Sequence, residues 1–123
     1  MNQYGKELIL DIHKCDTSTF TRESIGRFFE ELCDLIEMER GALYWWDDFD
    51  TPPEQRETEP HLKGISAVQF IRTSNITIHT LDLLGAVYLN IFSCKDFDAR
   101  VVFEFSESWF KGEVVNSEVM MRV

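Results

Sequence analysis

The sequence predicts a two-layer α+β sandwich, in which a largely antiparallel β-sheet carries its helices on one face. Two patterns point to this fold class: alternating apolar residues mark short strands, and apolar residues at helical spacing mark longer segments. The segments follow one another in the order βαββββαβ. With 123 residues, 44% of them hydrophobic, the chain is long enough for one domain with its own core. We therefore expect a single domain over residues 1–123.

The first predicted elements are a strand over residues 7–13, a helix over residues 21–39 and a strand over residues 41–46. The segment CDTSTFTRES, rich in helix-capping residue types, precedes the helix. Gly41 is expected to follow the helix end, because glycine readily adopts the left-handed conformation found there. The apolar face of the helix is expected to contain Ile25, Phe28, Phe29, Leu32, Leu35 and Ile36.

The second half of the chain is predicted to add three strands, a helix and a last strand. Residues 96–110 fit both a helical and an alternating pattern, and their length favours a helix capped by Asp96 or Asp98. The last strand is expected over residues 114–119. The three strands before the helix are expected over residues 65–72, 76–80 and 85–92.

The chain is strongly acidic, with 22 acidic against 12 basic residues, a net charge of −10 and a pI near 4.6. It has no cluster of Lys and Arg, so nucleic acids and anionic membrane surfaces are not expected as partners. Residues 47–60 hold six acidic residues, one basic residue and three prolines. This composition is typical of an exposed, solvated loop.

No export signal or membrane-spanning segment is recognised, so a cytoplasmic protein is expected. The three cysteines, Cys15, Cys33 and Cys94, form no CxxC pair. An odd number of unpaired cysteines indicates neither a disulfide framework nor a zinc site. We expect no metal cofactor.

Four chemically active side chains lie on or beside the predicted strands: Ser66, Ser74, His79 and Cys94. If those strands are neighbours, two hydroxyls, an imidazole and a thiol converge at one end of the sheet. Each residue type also has an ordinary structural role, because serine is common in turns, histidine bonds locally and cysteine fills cores. Spacing alone therefore indicates an active site only weakly.

The sequence around these residues resembles the prokaryotic S-adenosylmethionine decarboxylase family, whose pyruvoyl cofactor is made from its own chain. That family shows a pattern close to G-V-S-G, then E-S-H-L-S-I-H-T, then a strand ending F-T-C. From Ser66 to Cys94 no gap is needed, and the resemblance spans nearly the whole chain except the acidic loop. The matching segments are GKELILDIHKCD at residues 5–16, GISA at 64–67, TSNITIHT at 73–80 and FSC at 92–94.

The resemblance implies that the chain cuts itself between Thr73 and Ser74, which would turn Ser74 into the pyruvoyl group. Ser66 and His79 would assist this cleavage. The pyruvoyl group would form a Schiff base with S-adenosylmethionine, and Cys94 would return a proton after CO₂ leaves. The product would serve spermidine and other polyamine synthesis. The resemblance also implies homodimers with sites at the interface.

One departure from the family pattern leaves alternatives open. Leu81-Asp82-Leu83 stands where the family has W-P-E, and the Glu of that motif binds the ribose of the substrate. Asp82 is adjacent to the Glu position, but in an extended segment its side chain should point to the opposite side. Trp45, Trp46 and Phe49 lie near the family's adenine-stacking position, although sheet and dimer packing explains the two tryptophans better. The alternatives are a pyruvoyl decarboxylase of arginine or ornithine, whose cationic side chains an acidic site would suit, and an uncleaved, non-catalytic homologue that binds a ligand or partner.

Overall fold

Six strands form one antiparallel sheet in the computed structural model, which describes residues 3–123. The spatial order is β2-β3-β4-β5-β1-β6, so β1 lies between β5 and β6. Every neighbouring pair is antiparallel, which confirms the predicted fold class. The strands are β1 (Gly5–His13), β2 (Leu43–Trp46), β3 (Gly64–Ile71), β4 (Ser74–Leu81), β5 (Ala86–Ser93) and β6 (Glu113–Arg122).

Two helices, α1 (Arg22–Leu35) and α2 (Ala99–Phe110), cover one face of the sheet. The Thr21 side chain caps α1 by accepting from the Ser24 amide, and Asp98 caps α2. Residues 96–110 therefore end in a helix, as their length suggests. The core between helices and sheet contains packed aromatic rings, with Phe28 and Phe110 centred 4.9 Å apart and tilted against each other. Within residues 3–123, neither helix has the length and apolar character needed to cross a bilayer.

The end of α1 differs from the prediction, because the helix stops at Leu35 instead of residue 39. Glu37 adopts a left-handed conformation with φ of 58°, although it is not glycine. The Glu37 amide donates to Asp34 and the Met38 amide donates to Cys33, which is the pattern of a Schellman motif. Gly41 is thus not the residue that ends the helix, and its amide instead donates to Phe70 at the sheet edge.

The second face of the sheet, here called the outer face, has no helix packed on it within the described residues. Alternation along the strands places polar and large apolar side chains on it together. Its strongly exposed apolar side chains are Ile9, Tyr44, Trp46, Phe70, Tyr88 and Met120.

The acidic loop over residues 47–60 contains one short 3₁₀ turn, at Pro53–Gln55, and is fixed at its start. Two hydrogen bonds of 2.7 and 2.8 Å join the Arg22 guanidinium to the Asp47 carboxylate, whose side chain is only 5% exposed. The same guanidinium lies over the Phe49 ring, 4.3 Å from its centre. Helix α1 therefore holds the first residues of the loop in place.

Candidate active site

The predicted cleavage position lies in a tight turn between β3 and β4. Ile71 and Ser74 pair across the two strands, so only Arg72 and Thr73 make the turn. Arg72 has a φ of 54°, a left-handed backbone conformation that residues other than glycine adopt at a cost in energy. The bond between Thr73 and Ser74 thus lies one residue beyond a strained position in the same turn.

The Ser74 side chain is buried among groups from the end of β5. Its hydroxyl oxygen accepts a hydrogen bond from the Cys94 amide at 3.2 Å. The same hydroxyl lies 3.3 Å from Ser93 Oγ and 3.8 Å from Cys94 Sγ. Ser74 and Cys94 therefore meet at the same end of the sheet, as the sequence suggests.

Cys94 is exposed beside the turn, unlike the other two cysteines. Its thiol lies 3.3 Å from the Thr73 hydroxyl. Hydrogen bonds from Thr73 and then Ser74 hold the pKa of Cys94 below its ordinary value, while burial acts weakly in the opposite direction. A thiol with this environment can give or hold a proton next to the Thr73–Ser74 peptide bond.

The other predicted pair, Ser66 and His79, lies elsewhere. These residues face each other across β3 and β4, with Ser66 Oγ 2.7 Å from His79 Nδ1, and both are on the outer face. His79 is five residues from Ser74 along β4, which separates them by about 17 Å and puts their side chains on opposite faces. The expectation that all four groups converge is therefore wrong for a single chain.

A cavity of about 710 Å³ lies over the Ser66–His79 pair. The acidic loop forms one wall of this cavity, although the composition of the loop predicts only a solvated segment. Carboxylates thus stand beside an imidazole and exposed aromatic rings. The lining includes Trp46, Asp48, Glu57, His61, Leu81 and Tyr88.

The three aromatic residues singled out near the loop have different surroundings. Trp45 packs against the core, Trp46 is 84% exposed at the cavity wall, and Phe49 lies against Arg22. Only Trp46 shares the cavity with His79.

The three residues of the segment 81–83, which departs from the family pattern, lie in different surroundings. Leu81 lines the cavity with His79, whereas Asp82 lines a different cavity that contains Arg22 and Lys63. Burial raises the pKa of Asp82, and Lys63 lowers it to a smaller extent. Leu83 lies in the turn after β4 and is 57% exposed. Asp82 therefore points away from the His79 cavity, as expected.

Ser93 is a contact of Ser74 that the sequence interpretation missed. It is fully buried and pairs directly with Ser74 across β4 and β5. The turn at residues 82–85 sets the register of these strands, beginning from the Leu81–Ala86 pair. Counting back from that pair would have placed Ser93 opposite Ser74.

Comparison with known proteins identifies the family. The chain is 29% identical, over 99 residues, to S-adenosylmethionine decarboxylase proenzymes of Clostridium kluyveri, covering 78% of this chain and 68% of the relatives. A crystal structure of the adenosylmethionine decarboxylase from Aquifex aeolicus VF5 superposes with a TM-score of 0.77 at 16% identity, covering 99% of this chain and 92% of that one, and so shares the fold. The family model for S-adenosylmethionine decarboxylase matches residues 6–123. The chain therefore belongs to the S-adenosylmethionine decarboxylase family.

Proposed function

We propose that this protein is a self-processing, pyruvoyl-dependent S-adenosylmethionine decarboxylase that cuts itself between Thr73 and Ser74. The observation that carries the proposal is the buried Ser74 hydroxyl, which follows a strained turn and lies 3.8 Å from the Cys94 thiol. Family membership supports the decarboxylation, and the word proenzyme in the names of the relatives supports a processing step.

Cleavage begins with attack of Ser74 Oγ on the carbonyl carbon of Thr73. The Oγ–C bond forms, the peptide C–N bond breaks, and the hydroxyl proton passes to the released amine, which leaves an ester. Elimination across Cα and Cβ of Ser74 then releases the Thr73 carboxylate. Water then displaces the amino group of residue 74, which leaves as ammonia, and a pyruvoyl group remains at position 74. The strain at Arg72 favours the first step because opening the turn relieves it.

The residues around Ser74 fit a pyruvoyl group at that position. A pyruvoyl group supplies a carbonyl that draws electrons from the substrate as CO₂ leaves. Cys94 holds a proton near this position and would return it to the substrate carbon. Ser66 and His79 would carry protons during cleavage, because imidazole gains and loses a proton near neutral pH.

The cavity over His79 supports a cationic substrate with an aromatic group. Asp48 and Glu57 place negative charge in its wall, which suits a sulfonium or an ammonium ion, and exposed Trp46 offers a surface for a purine. S-adenosylmethionine has all of these groups. Leu83, where the family has a ribose-binding Glu, favours the second candidates, arginine and ornithine, whose cations need no ribose contact.

We propose that the active form is a homodimer whose outer faces meet. Exposed aromatic side chains on a helix-free face are typical of a surface that a partner covers. A two-fold axis that crosses the strands near Thr77 would bring the Ser66–His79 pair of one copy to the Ser74 turn of the other. This arrangement would bring the pair beside the Thr73–Ser74 bond and Cys94 at the end of the sheet, while the Ser74 side chain stays on the inner face.

We propose the cytoplasm as the setting, where the three free cysteines stay reduced. The decarboxylated product would enter spermidine and other polyamine synthesis.

Intact mass after expression tests the central proposal. Two fragments should appear, and the one beginning at position 74 should lack an amino terminus and react with phenylhydrazine. Ser74→Ala should abolish both cleavage and CO₂ release. A single uncut species in fresh and aged wild-type samples would refute self-processing and favour a non-catalytic binding protein. CO₂ release from S-adenosylmethionine, arginine and ornithine in parallel then identifies the substrate.

A further inference from the structure

Every hydrogen-bonding position of the buried Ser93 hydroxyl is occupied. Its proton is donated to the Lys95 carbonyl at 2.8 Å, which is a stronger acceptor than the more distant Met38 Sδ at 3.8 Å, and its oxygen accepts from the Lys95 amide at 3.0 Å. The remaining lone pair faces the Ser74 hydroxyl at 3.3 Å. A hydroxyl has one donor and two acceptor positions, so Ser93 can only accept a hydrogen bond from Ser74.

This contact fixes the direction of the Ser74 hydroxyl. Ser74 has one proton and two acceptors within reach, and Ser93 Oγ at 3.3 Å is nearer than Cys94 Sγ at 3.8 Å. One lone pair of Ser74 accepts from the Cys94 amide. The other lone pair stays free for attack while the proton points toward Ser93.

We propose that Ser93 is a positioning residue for self-cleavage, which orients the Ser74 hydroxyl for attack on the Thr73 carbonyl. The proposal rests on the self-processing function proposed above. Ser93 takes no part in the bonds that change: the Ser74 Oγ–C bond forms, the C–N bond breaks, and the Ser74 proton passes to the released amine. Without the Ser93 hydroxyl, the Ser74 proton turns to the Cys94 sulfur and the attacking lone pair loses its fixed direction.

Cell-free synthesis of the full chain, followed by intact mass over time, tests this role. Ser93→Ala should slow cleavage by about five- to tenfold, the effect expected from loss of one neutral hydrogen bond. Ser106→Ala is a matched control, because Ser106 is equally buried and its hydroxyl contacts no hydrogen-bond partner in the described part of the chain. The control should cleave within about twofold of the wild-type rate, and Ser93→Thr should restore most of the lost rate.

Hydroxylamine, which cuts the ester intermediate, locates the slowed step. Ester formation should itself be slow in Ser93→Ala, so hydroxylamine should not accelerate the appearance of fragments. Wild-type cleavage rates in Ser93→Ala would overturn the proposal. Slow cleavage with accumulated ester, or equal slowing in Ser93→Ala and Ser93→Thr with a lowered melting temperature, would also overturn it. A wild-type chain that never cleaves would instead refute the proposed function, and the role of Ser93 would fall with it.

Discussion

Ser66 and His79 are joined by a 2.7 Å hydrogen bond across β3 and β4, on the face of the sheet opposite to the side chain of Ser74. This pair cannot reach the Ser74 turn of its own chain without unpairing the strands. Two incomplete half-sites on each chain, together with an uncovered outer face, point to a composite site in a dimer.

Two inactive variants should restore each other if the site is shared between copies. Ser74→Ala and His79→Ala, each expressed alone, should fail to cleave or should cleave at least 100-fold more slowly. Co-expression should yield mixed dimers in which intact Ser74 of one chain meets intact His79 of the other. Mass spectrometry should then show cleavage of the His79→Ala chain only. Absence of any cleavage in a mixture that contains mixed dimers would refute the shared site.

The three thiols should differ sharply in reactivity. Hydrogen bonds from Thr73 and Ser74 lower the pKa of Cys94, whereas burial raises the pKa of Cys15 and of Cys33 to about 11. Iodoacetamide alkylates the thiolate form of cysteine, so Cys94 should react at a lower pH than an ordinary thiol. Limited iodoacetamide treatment of the chain, followed by peptide mass mapping, should label Cys94 first. Equal labelling of Cys15 would contradict this ranking.

Glu57 should contribute to binding of a cationic substrate. Because Glu57 lines the cavity over His79, Glu57→Gln should raise KM several-fold and change kcat little. Glu54→Gln is the matched control, since Glu54 belongs to the same loop but not to the cavity lining. Steady-state CO₂ release measures both variants. An equal effect of the two substitutions would assign the change to the overall charge of the loop.

The Arg22–Asp47 pair should stabilise the fold in a pH-dependent way. The hydrogen bond from Arg22 lowers the pKa of Asp47 in the folded state. The stabilisation is therefore present above the unfolded pKa of about 4, and it is lost as the pH falls through the lowered pKa of the folded state. Arg22→Ala should therefore reduce the urea midpoint at pH 7, and the difference from wild type should shrink below about pH 4. Arg100→Ala, which removes an exposed pair with Glu104, is the control and should change little. A constant difference at all pH values would exclude this pair as its source.

The sheet was predictable because each strand alternates clearly and turn residues separate the strands. Apolar spacing also located α1, but its end depended on Glu37, a residue type with no preference for the left-handed conformation it adopts. The buried contacts of Met38 and Cys33 at that end outweigh the local preference. Local sequence could not report such a tertiary effect.

The sequence pointed to candidate site residues but not to their arrangement in the fold, and the residues stay a prediction. An odd separation along one strand already puts Ser74 and His79 on opposite faces, so the alternation rule alone argues against a single cluster. The cavity wall could not be read from the sequence. It depends on how Arg22 of a distant helix holds the start of the acidic loop.

The place of β1 between β5 and β6 decides what a cut at Ser74 would do to the molecule. The first piece would contain β1, β2 and β3, and the second would contain β4, β5 and β6. Because β1 lies between β5 and β6, strands of the two pieces would alternate in the sheet. Pulling them apart would require breaking three strand interfaces at once: β3 with β4, β5 with β1, and β1 with β6. Such pieces would stay together without any covalent link, and neither could form this sheet alone. Folding would therefore have to precede cleavage.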